Sequence, residues 1–262
     1  MIFKKLLCTI LMLILLAGCS ARGAENAGIE CTFISCGNAD AILLLTESHT
    51  ILIDSGKRDD GDCIAKELKS QGSGKIDYMI LTHPDYDHIG GAARLIEEFN
   101  VEHIYIPDRT SSTQDYLEFC RKCKNEGIIP TVVTDNTDIS LDGISVRIFP
   151  PKDYYDGNNN NSLITEVESG GKRLLFLADA ETERLDDFKT DSAFLIKLPH
   201  HGQYSGELEK ILRTAKPDYA VITCESPPEN TVSTLENLGI KVFTTSEGNV
   251  KVSFDGSVKI SY

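Results

Sequence analysis

Thr82 to Gly91 reads THPDYDHIGG and packs His83, Asp85, Asp87 and His88 into six positions. Neutral imidazole and ionised carboxylate both present lone pairs to a divalent cation. Carboxylates crowded this closely repel one another unless a cation neutralises them. The chemistry these residues suit is therefore metal binding on a short loop. The run from Ile76 to Leu81 leads in and predicts a buried strand. Pro84 fixes its own φ and pushes His83 towards an extended conformation. Gly90 and Gly91 predict a tight turn into the apolar-periodic segment Ala92 to Phe99, which predicts a helix.

The rest of the chain supplies the elements that must hold this loop. Ile29 to Ser35, Ala41 to Leu45 and Thr50 to Ile53 predict three strands joined by tight turns, a meander. His49 reads as a turn residue. Asp62 to Gln71 predicts an amphipathic helix. Val101 to Ile106 predicts a strand, with His103 a surface or packed residue outside any metal site. Thr113 to Glu126 predicts a helix stopped by Gly127. Thr131 to Thr134, Asp138 to Leu141 and Ile144 to Phe149 predict short strands, closed by Pro150-Pro151. A turn-rich loop ends in Asn158-Asn159-Asn160-Asn161-Ser162, before the strand Leu163 to Val167. Lys172 to Leu177 predicts a buried strand with Asp179 just past its end, placed either for a metal or as the N-cap of a helix from Glu181 to Phe188. Ala193 to Leu198 predicts a further strand and runs into Pro199-His200-His201-Gly202. Leu208 to Thr214 and Glu229 to Leu238 predict helices. Tyr219 to Thr223, Lys241 to Thr244, Val250 to Phe254 and Ser257 to Ile260 predict the closing strands. Two strand-rich halves with flanking helices fit an α/β fold, a four-layer αββα sandwich.

His83, Asp85, Asp87 and His88 resemble the HxHxDH signature of the metallo-β-lactamase superfamily, with Asp85 where a second His usually stands. Within it, that substitution resembles the hydrolase domain of ComEC-type competence proteins, which take up DNA. The resemblance covers nearly all of residues 29–262. Gly37, Asp40, Asp54 and Gly56 match that domain's Gly-x-x-Asp and Asp-x-Gly elements. It implies Asp54 and Asp40 as structural support and places Asn161 or Ser162 beside the site for ligand or substrate contacts. It implies Asp179 as a carboxylate bridging two metals, although Ala178 stands where the family has Gly. Strand register alone does not choose between His200 and His201. The family's Pro-His-His-Gly implies His200 as a ligand, leaving His201 to face the substrate as a proton donor or phosphate contact. Asp87 and His201 are thus the expected catalytic residues. The implied metal ligands are His83, Asp85, Asp87, His88, Asp179 and His200, around two divalent metal ions. Asp85 makes the donor set oxygen-rich, which suits Mn²⁺ as well as Zn²⁺. A Gly-His-Pro common in those domains is replaced here by Ser226-Pro227-Pro228, so that histidine's contact is missing, weakened or supplied by Glu225.

Residues 1–18 read as an export leader: Lys4 and Lys5 precede the apolar Leu6 to Ala17, which is too short to span a bilayer. Leu16-Ala17-Gly18-Cys19 resembles a lipobox, implying a lipidated Cys19, a tether over residues 19–28 and an extracytoplasmic protein held on the cell membrane. The formal net charge is −14, which argues against a broad nucleic-acid-binding face. It leaves room for an anionic substrate at a metal site. Cys31, Cys36, Cys63, Cys120, Cys123 and Cys224 read as core or surface thiols, and the lone Cys120/Cys123 CxxC is weak evidence for a metal. The expected function is hydrolysis of phosphodiesters, in a small molecule or a single-stranded nucleic acid. The alternatives are hydrolysis of small esters, lactones or β-lactams, and a metal-binding lipoprotein without catalysis. No protein partner is expected.

Overall fold

The structure is a computed structural model, and it describes residues 28–254 and 258–262. The leader and Cys19 lie outside the described residues. Among those described, no helix is long and apolar enough to cross a membrane.

Two sheets make the centre. The first contains β1 (Ile29–Phe33), β2 (Ile42–Leu45), β3 (Thr50–Ile53), β4 (Lys75–Ile80), β5 (Asn100–Pro107) and β6 (Thr131–Val133), with β14 (Val250–Phe254) and β15 (Val258–Ser261) added beside β1. The second contains β7 (Thr137–Leu141), β8 (Ile144–Phe149), β9 (Ile164–Ser169), β10 (Lys172–Phe176), β11 (Leu195–Lys197), β12 (Tyr219–Ile222) and β13 (Lys241–Thr244). Each sheet is antiparallel on one side and parallel on the other: β3 to β6 run parallel, as do β10 to β13.

Strand alternation fixes the layers. In β2, Ile42 and Leu44 point between the sheets, whereas Leu43 packs with the helices. In β10, Leu174 and Phe176 point inward, and Leu175 packs against the opposite helical layer. Phe33 and Phe176 meet across the sheets with ring centroids 5.9 Å apart. The helices α1 (Gly61–Ser70), α2 (Tyr86–Ile89), α3 (Ala92–Glu98) and α4 (Gln114–Glu126) belong to the first half. Leu68, Leu95 and Phe119 from this group are buried against the first sheet. The helices α5 (Thr182–Asp187), α6 (Gly206–Ala215) and α7 (Glu229–Asn237) cover the second sheet through Leu185, Leu208, Leu212 and Leu235. The fold is the expected αββα sandwich.

Local chemistry explains the boundaries. Thr113 caps α4 by accepting from the Tyr116 amide, and Gly127 ends it in the left-handed conformation. The glycine pair behaves differently from expectation. Gly90 and Gly91 have ordinary right-handed φ values of −57° and −80°. They are needed because backbone passes too close for a side chain: a Cβ on Gly90 would sit 2.5 Å from the Arg58 amide, and one on Gly91 2.2 Å from the Ser55 carbonyl. The loop after β4 also contains the one-turn helix α2. Asp179 does not cap α5, whose N-cap residue is Glu181.

The six described cysteines are free thiols. Burial pushes the Cys123 thiol up to about 12 and that of Cys224 to about 11, so both stay protonated.

Candidate metal centre

The candidate ligands gather where parallel strands of both sheets end. The loop after β4 brings His83, Asp85, Asp87 and His88, the end of β10 brings Asp179, and the turn after β11 brings His201. One potential ligand atom from each of Asp87, His88, Asp179 and His201 falls within 4.8 Å of every other. His88 Nε2 lies 3.1 Å from Asp179 Oδ1, and His201 Nε2 lies 3.3 Å from Asp87 Oδ2 and 3.7 Å from Asp179 Oδ2. Donors at 2.0–2.1 Å from a tetrahedral ion sit roughly 3.3 Å apart. His83 Nε2 is buried with no hydrogen-bond partner among the described residues, and the buried His88 Nε2 and Asp179 Oδ1 face each other with no further partner. Buried polar atoms are normally satisfied, so this donor set fits a divalent cation.

The supporting residues fix which atoms face the centre. Asp54 is fully buried, with φ +59°. Its carboxylate accepts from the Thr82 amide at 2.7 Å and the Thr82 hydroxyl at 2.8 Å, and lies 2.8 Å from His88 Nδ1. The His88 ring is thereby aimed with Nε2 inward, the arrangement expected of a metal-binding histidine. Asp40 accepts from the Thr223 hydroxyl at 2.6 Å and from the ammonium of Lys197. Asp40, Asp54 and His88 also approach one another, but the two carboxylates are already engaged by these donors.

Electrostatics follow the same geometry. Burial works against a charged His88, yet Asp179 and Asp54 beside it hold its imidazole well above the ordinary range. Burial, reinforced by neighbouring His88, pushes His83 well below it. Burial also works against an ionised Asp179, and His88, His83 and Lys197 overcome that and hold its carboxyl well below the usual range. Burial raises Asp85 despite a hydrogen bond from Asn158. Asp87 ends lowered because the bond from His201 and the charge of His88 outweigh its burial.

Of the two adjacent histidines, His201 and not the expected His200 groups with the candidate ligands. His201 Nδ1 lies 2.9 Å from the Thr223 carbonyl and donates to it, which turns Nε2 towards Asp87 and Asp179. His200 turns outward: its Nδ1 is 3.1 Å from Glu181 Oε1, and its Nε2 is 3.2 Å from Gln203 Nε2 and 3.9 Å from Asp179 Oδ2. The physical reason is backbone conformation. Both residues are left-handed, with φ values of +47° and +52°, so the chain leaves β11 in a coil and strand alternation no longer applies.

Asn161 also departs from expectation. Its amide is consumed by its own loop, accepting from the Tyr155 amide and donating to the Tyr155 and Gly157 carbonyls. Ser162 is fully buried, with Oγ unpartnered, and its carbonyl accepts from Arg184. The residue that reaches the metal loop is Asn158, which donates to Asp85 Oδ1 at 2.5 Å. His83 Nε2 and Asp85 Oδ2 are 3.7 Å apart. His49 pairs with Asp142 at 2.8 Å, and His103 is exposed and stacked on Tyr78, both outside the site. Glu225 packs over Gly37 and donates its amide to Asn38.

Comparison with known proteins agrees with this geometry. The family model for the metallo-beta-lactamase superfamily matches residues 34–225. The chain belongs to the metallo-β-lactamase superfamily. This superfamily member is 24% identical over 203 residues to ComE operon protein 3 of Bacillus subtilis, covering 73% of this chain and 26% of that protein. It is 25% identical over 195 residues to Recombination protein 2 of Haemophilus influenzae, covering 71% of this chain and 23% of that one. The chain thus spans about a quarter of the length of these relatives. Among solved structures, the metallo-β-lactamase fold protein YhfI from Bacillus subtilis shares the fold, with a TM-score of 0.62 at 14% identity over 86% of this chain and 99% of that one. A diphosphatase of the PhnP family does so with a TM-score of 0.55 at 13% identity, over 89% and 100%. The superfamily and the donor set together identify a hydrolase of the metal-dependent kind.

Proposed function

We propose that the protein hydrolyses phosphodiesters with two divalent cations, Zn²⁺ or Mn²⁺. The observation that carries this reading is the oxygen-rich donor set: three carboxylates, Asp85, Asp87 and Asp179, alongside His83, His88 and His201. Such donors suit hard cations and phosphoryl oxygens better than a histidine-only set does. The similarity to competence and recombination proteins supports the same reading.

Asp87, His88, Asp179 and His201 would hold one cation, and His83 and Asp85 would serve a second. Bound there, the cations would supply Lewis acidity towards the phosphoryl group and an activated water. The chain's own work is positional. Asp54 keeps the His88 proton on Nδ1, and the Thr223 carbonyl keeps the His201 proton on Nδ1, so both Nε2 lone pairs face inward. His200 stands at the rim, held by Glu181, where its imidazole passes a proton to the leaving oxygen.

Turnover of bis(p-nitrophenyl) phosphate, a lactone and a chromogenic β-lactam by protein loaded with Zn²⁺ or Mn²⁺ tests the reading. Phosphodiester turnover lost in Asp179→Ala supports it. Metal binding with turnover only of lactone or β-lactam, or with none, overturns it. We further propose that Cys19 carries a lipid anchor. Cys19→Ala should release the protein from the membrane fraction or leave the leader uncleaved, and unchanged fractionation with unchanged processing refutes the anchor.

A further inference from the structure

We propose that Arg109 is the substrate-anion contact of this site, taking a non-bridging phosphate oxygen of the phosphodiester and so setting specificity for anionic phosphoesters over neutral esters. The inference rests on the phosphodiesterase reading and goes beyond it to a residue outside every motif of the metal loop.

Arg109 lies just past β5, beside the loop after β4 in the parallel part of the first sheet. Its Nε donates to Asn158 Oδ1 at 3.1 Å, and Asn158 in turn donates to Asp85 Oδ1. The guanidinium is therefore two hydrogen bonds away from a candidate ligand. Its Cζ sits 4.5 Å from the ring centroid of Tyr154, which fixes its plane. Its Nη1 is buried and has no partner among the described residues.

Charge makes this arrangement informative. The chain carries 40 acidic against 26 basic residues, so a guanidinium has many carboxylates to choose from. Arg58, Arg94, Arg121, Arg147, Arg173, Arg184 and Arg213 each have one within 4.0 Å. Among the described arginines, Arg109 alone has none. Leaving a buried guanidinium nitrogen unsatisfied is costly, and with Nε spent on Asn158 the planar fork keeps Nη1 as a charged donor for a phosphate oxygen. Tyr154, 72% exposed, offers its remaining ring surface beside that fork, as a nucleobase would require.

The experiment compares wild type with Arg109→Ala, Arg109→Lys and Tyr154→Ala, each metal-loaded and assayed for bound metal. The substrates are bis(p-nitrophenyl) phosphate, a dinucleotide, a single-stranded oligonucleotide and the neutral p-nitrophenyl acetate. Arg109→Ala should raise KM for the phosphodiesters roughly ten- to a hundredfold relative to the neutral ester, with metal content retained. Arg109→Lys should recover part of the loss as a point charge. A Tyr154→Ala loss confined to the dinucleotide and oligonucleotide identifies the ligand as a nucleotide; an equal loss on bis(p-nitrophenyl) phosphate identifies a bare phosphodiester. An unchanged KM ratio overturns the proposal, as does a loss of metal in Arg109→Ala, which would make Arg109 a support for Asp85. If wild type turns over no phosphodiester, inorganic phosphate binding followed by calorimetry decides. Binding by wild type that Arg109→Ala loses keeps the anion site while the phosphodiesterase reading falls. Equal binding, or none, removes the site.

Discussion

At the scale of single residues, the site depends on which nitrogen and which oxygen face the centre. His201 Nε2 lies within 4 Å of both Asp87 and Asp179, whereas His200 Nε2 makes its nearest approach to Gln203. His201→Ala should therefore lose about one metal equivalent together with activity, because it removes a ligand. His200→Ala should keep the metal and lower turnover. Elemental analysis beside steady-state kinetics checks both variants, and the opposite pattern would restore His200 as the ligand. A second consequence concerns protons. In the metal-free protein, burial opposes a charge on His88, but Asp179 and Asp54 keep the imidazole protonated well above its ordinary range. A cation needs the Nε2 lone pair, so metal and proton compete. Affinity should rise with pH and fall as pH drops, and loading at neutral pH should release about one proton. Calorimetric titration of Zn²⁺ into metal-free protein, in two buffers of different ionisation enthalpy, reads that number. Equal heats in both buffers would contradict it.

At the scale of elements, local pattern made the strands and helices legible. β3, β8 and β13 fall where apolar runs bounded by turn residues predict them, and α4 begins at its Thr113 cap and ends at Gly127. The candidate metal loop was legible too, since His83, Asp85, Asp87 and His88 lie within six residues. What local pattern could not supply was contact between distant segments. The left-handed His200 and His201 lie where the turn passes close against β12, so close that a Cβ on Gly202 would sit 2.7 Å from Ile222 Cγ2. Asn158 rather than Asn161 reaches Asp85 because Asn161 closes its own loop, a choice among four identical side chains that spacing cannot make. Lys197 did leave a signal, as the one charge inside the apolar run from Ala193 to Leu198. The glycine pair of the metal loop belongs to the same class of long-range effect, and it can be tested. Gly90→Ala keeps an acceptable φ but drives a methyl group against the Arg58 amide and the preceding carbonyl of Lys57. Overpacking of backbone should cost about 1–3 kcal/mol in denaturant unfolding and should also shift Asp87 and His88, lowering metal affinity. A variant as stable as wild type would mean that the Arg58 segment moves aside freely.

At the scale of the whole molecule, the two halves are joined by polar contacts as well as by apolar packing. Asp40 precedes β2 in the first sheet, whereas Lys197 ends β11 and Thr223 follows β12 in the second. Both members of the Asp40–Lys197 ion pair are essentially inaccessible to solvent. Lys197 donates further to the Ala178 carbonyl at 3.0 Å and lies 3.9 Å from Asp179 Oδ1, so one internal cation serves both the seam and the metal centre. It also helps hold Ala178 at φ +49°, where the related pattern has a glycine. A buried pair of this kind is costly to assemble, and its energetic signature appears when one member is removed. Lys197→Met leaves the Asp40 carboxylate buried with Thr223 as its remaining donor and should lower the unfolding free energy by roughly 3–5 kcal/mol. Adding Asp40→Asn removes that stranded charge. The double variant should therefore be less destabilised than the sum of the two single variants, by about 0.5–3 kcal/mol. Urea unfolding of all four proteins, each stripped of metal so that ligand binding adds nothing to stability, measures the cycle. Strict additivity, with Lys197→Met costing less than about 1 kcal/mol, would show that water reaches the pair and that apolar packing alone holds the two sheets in register.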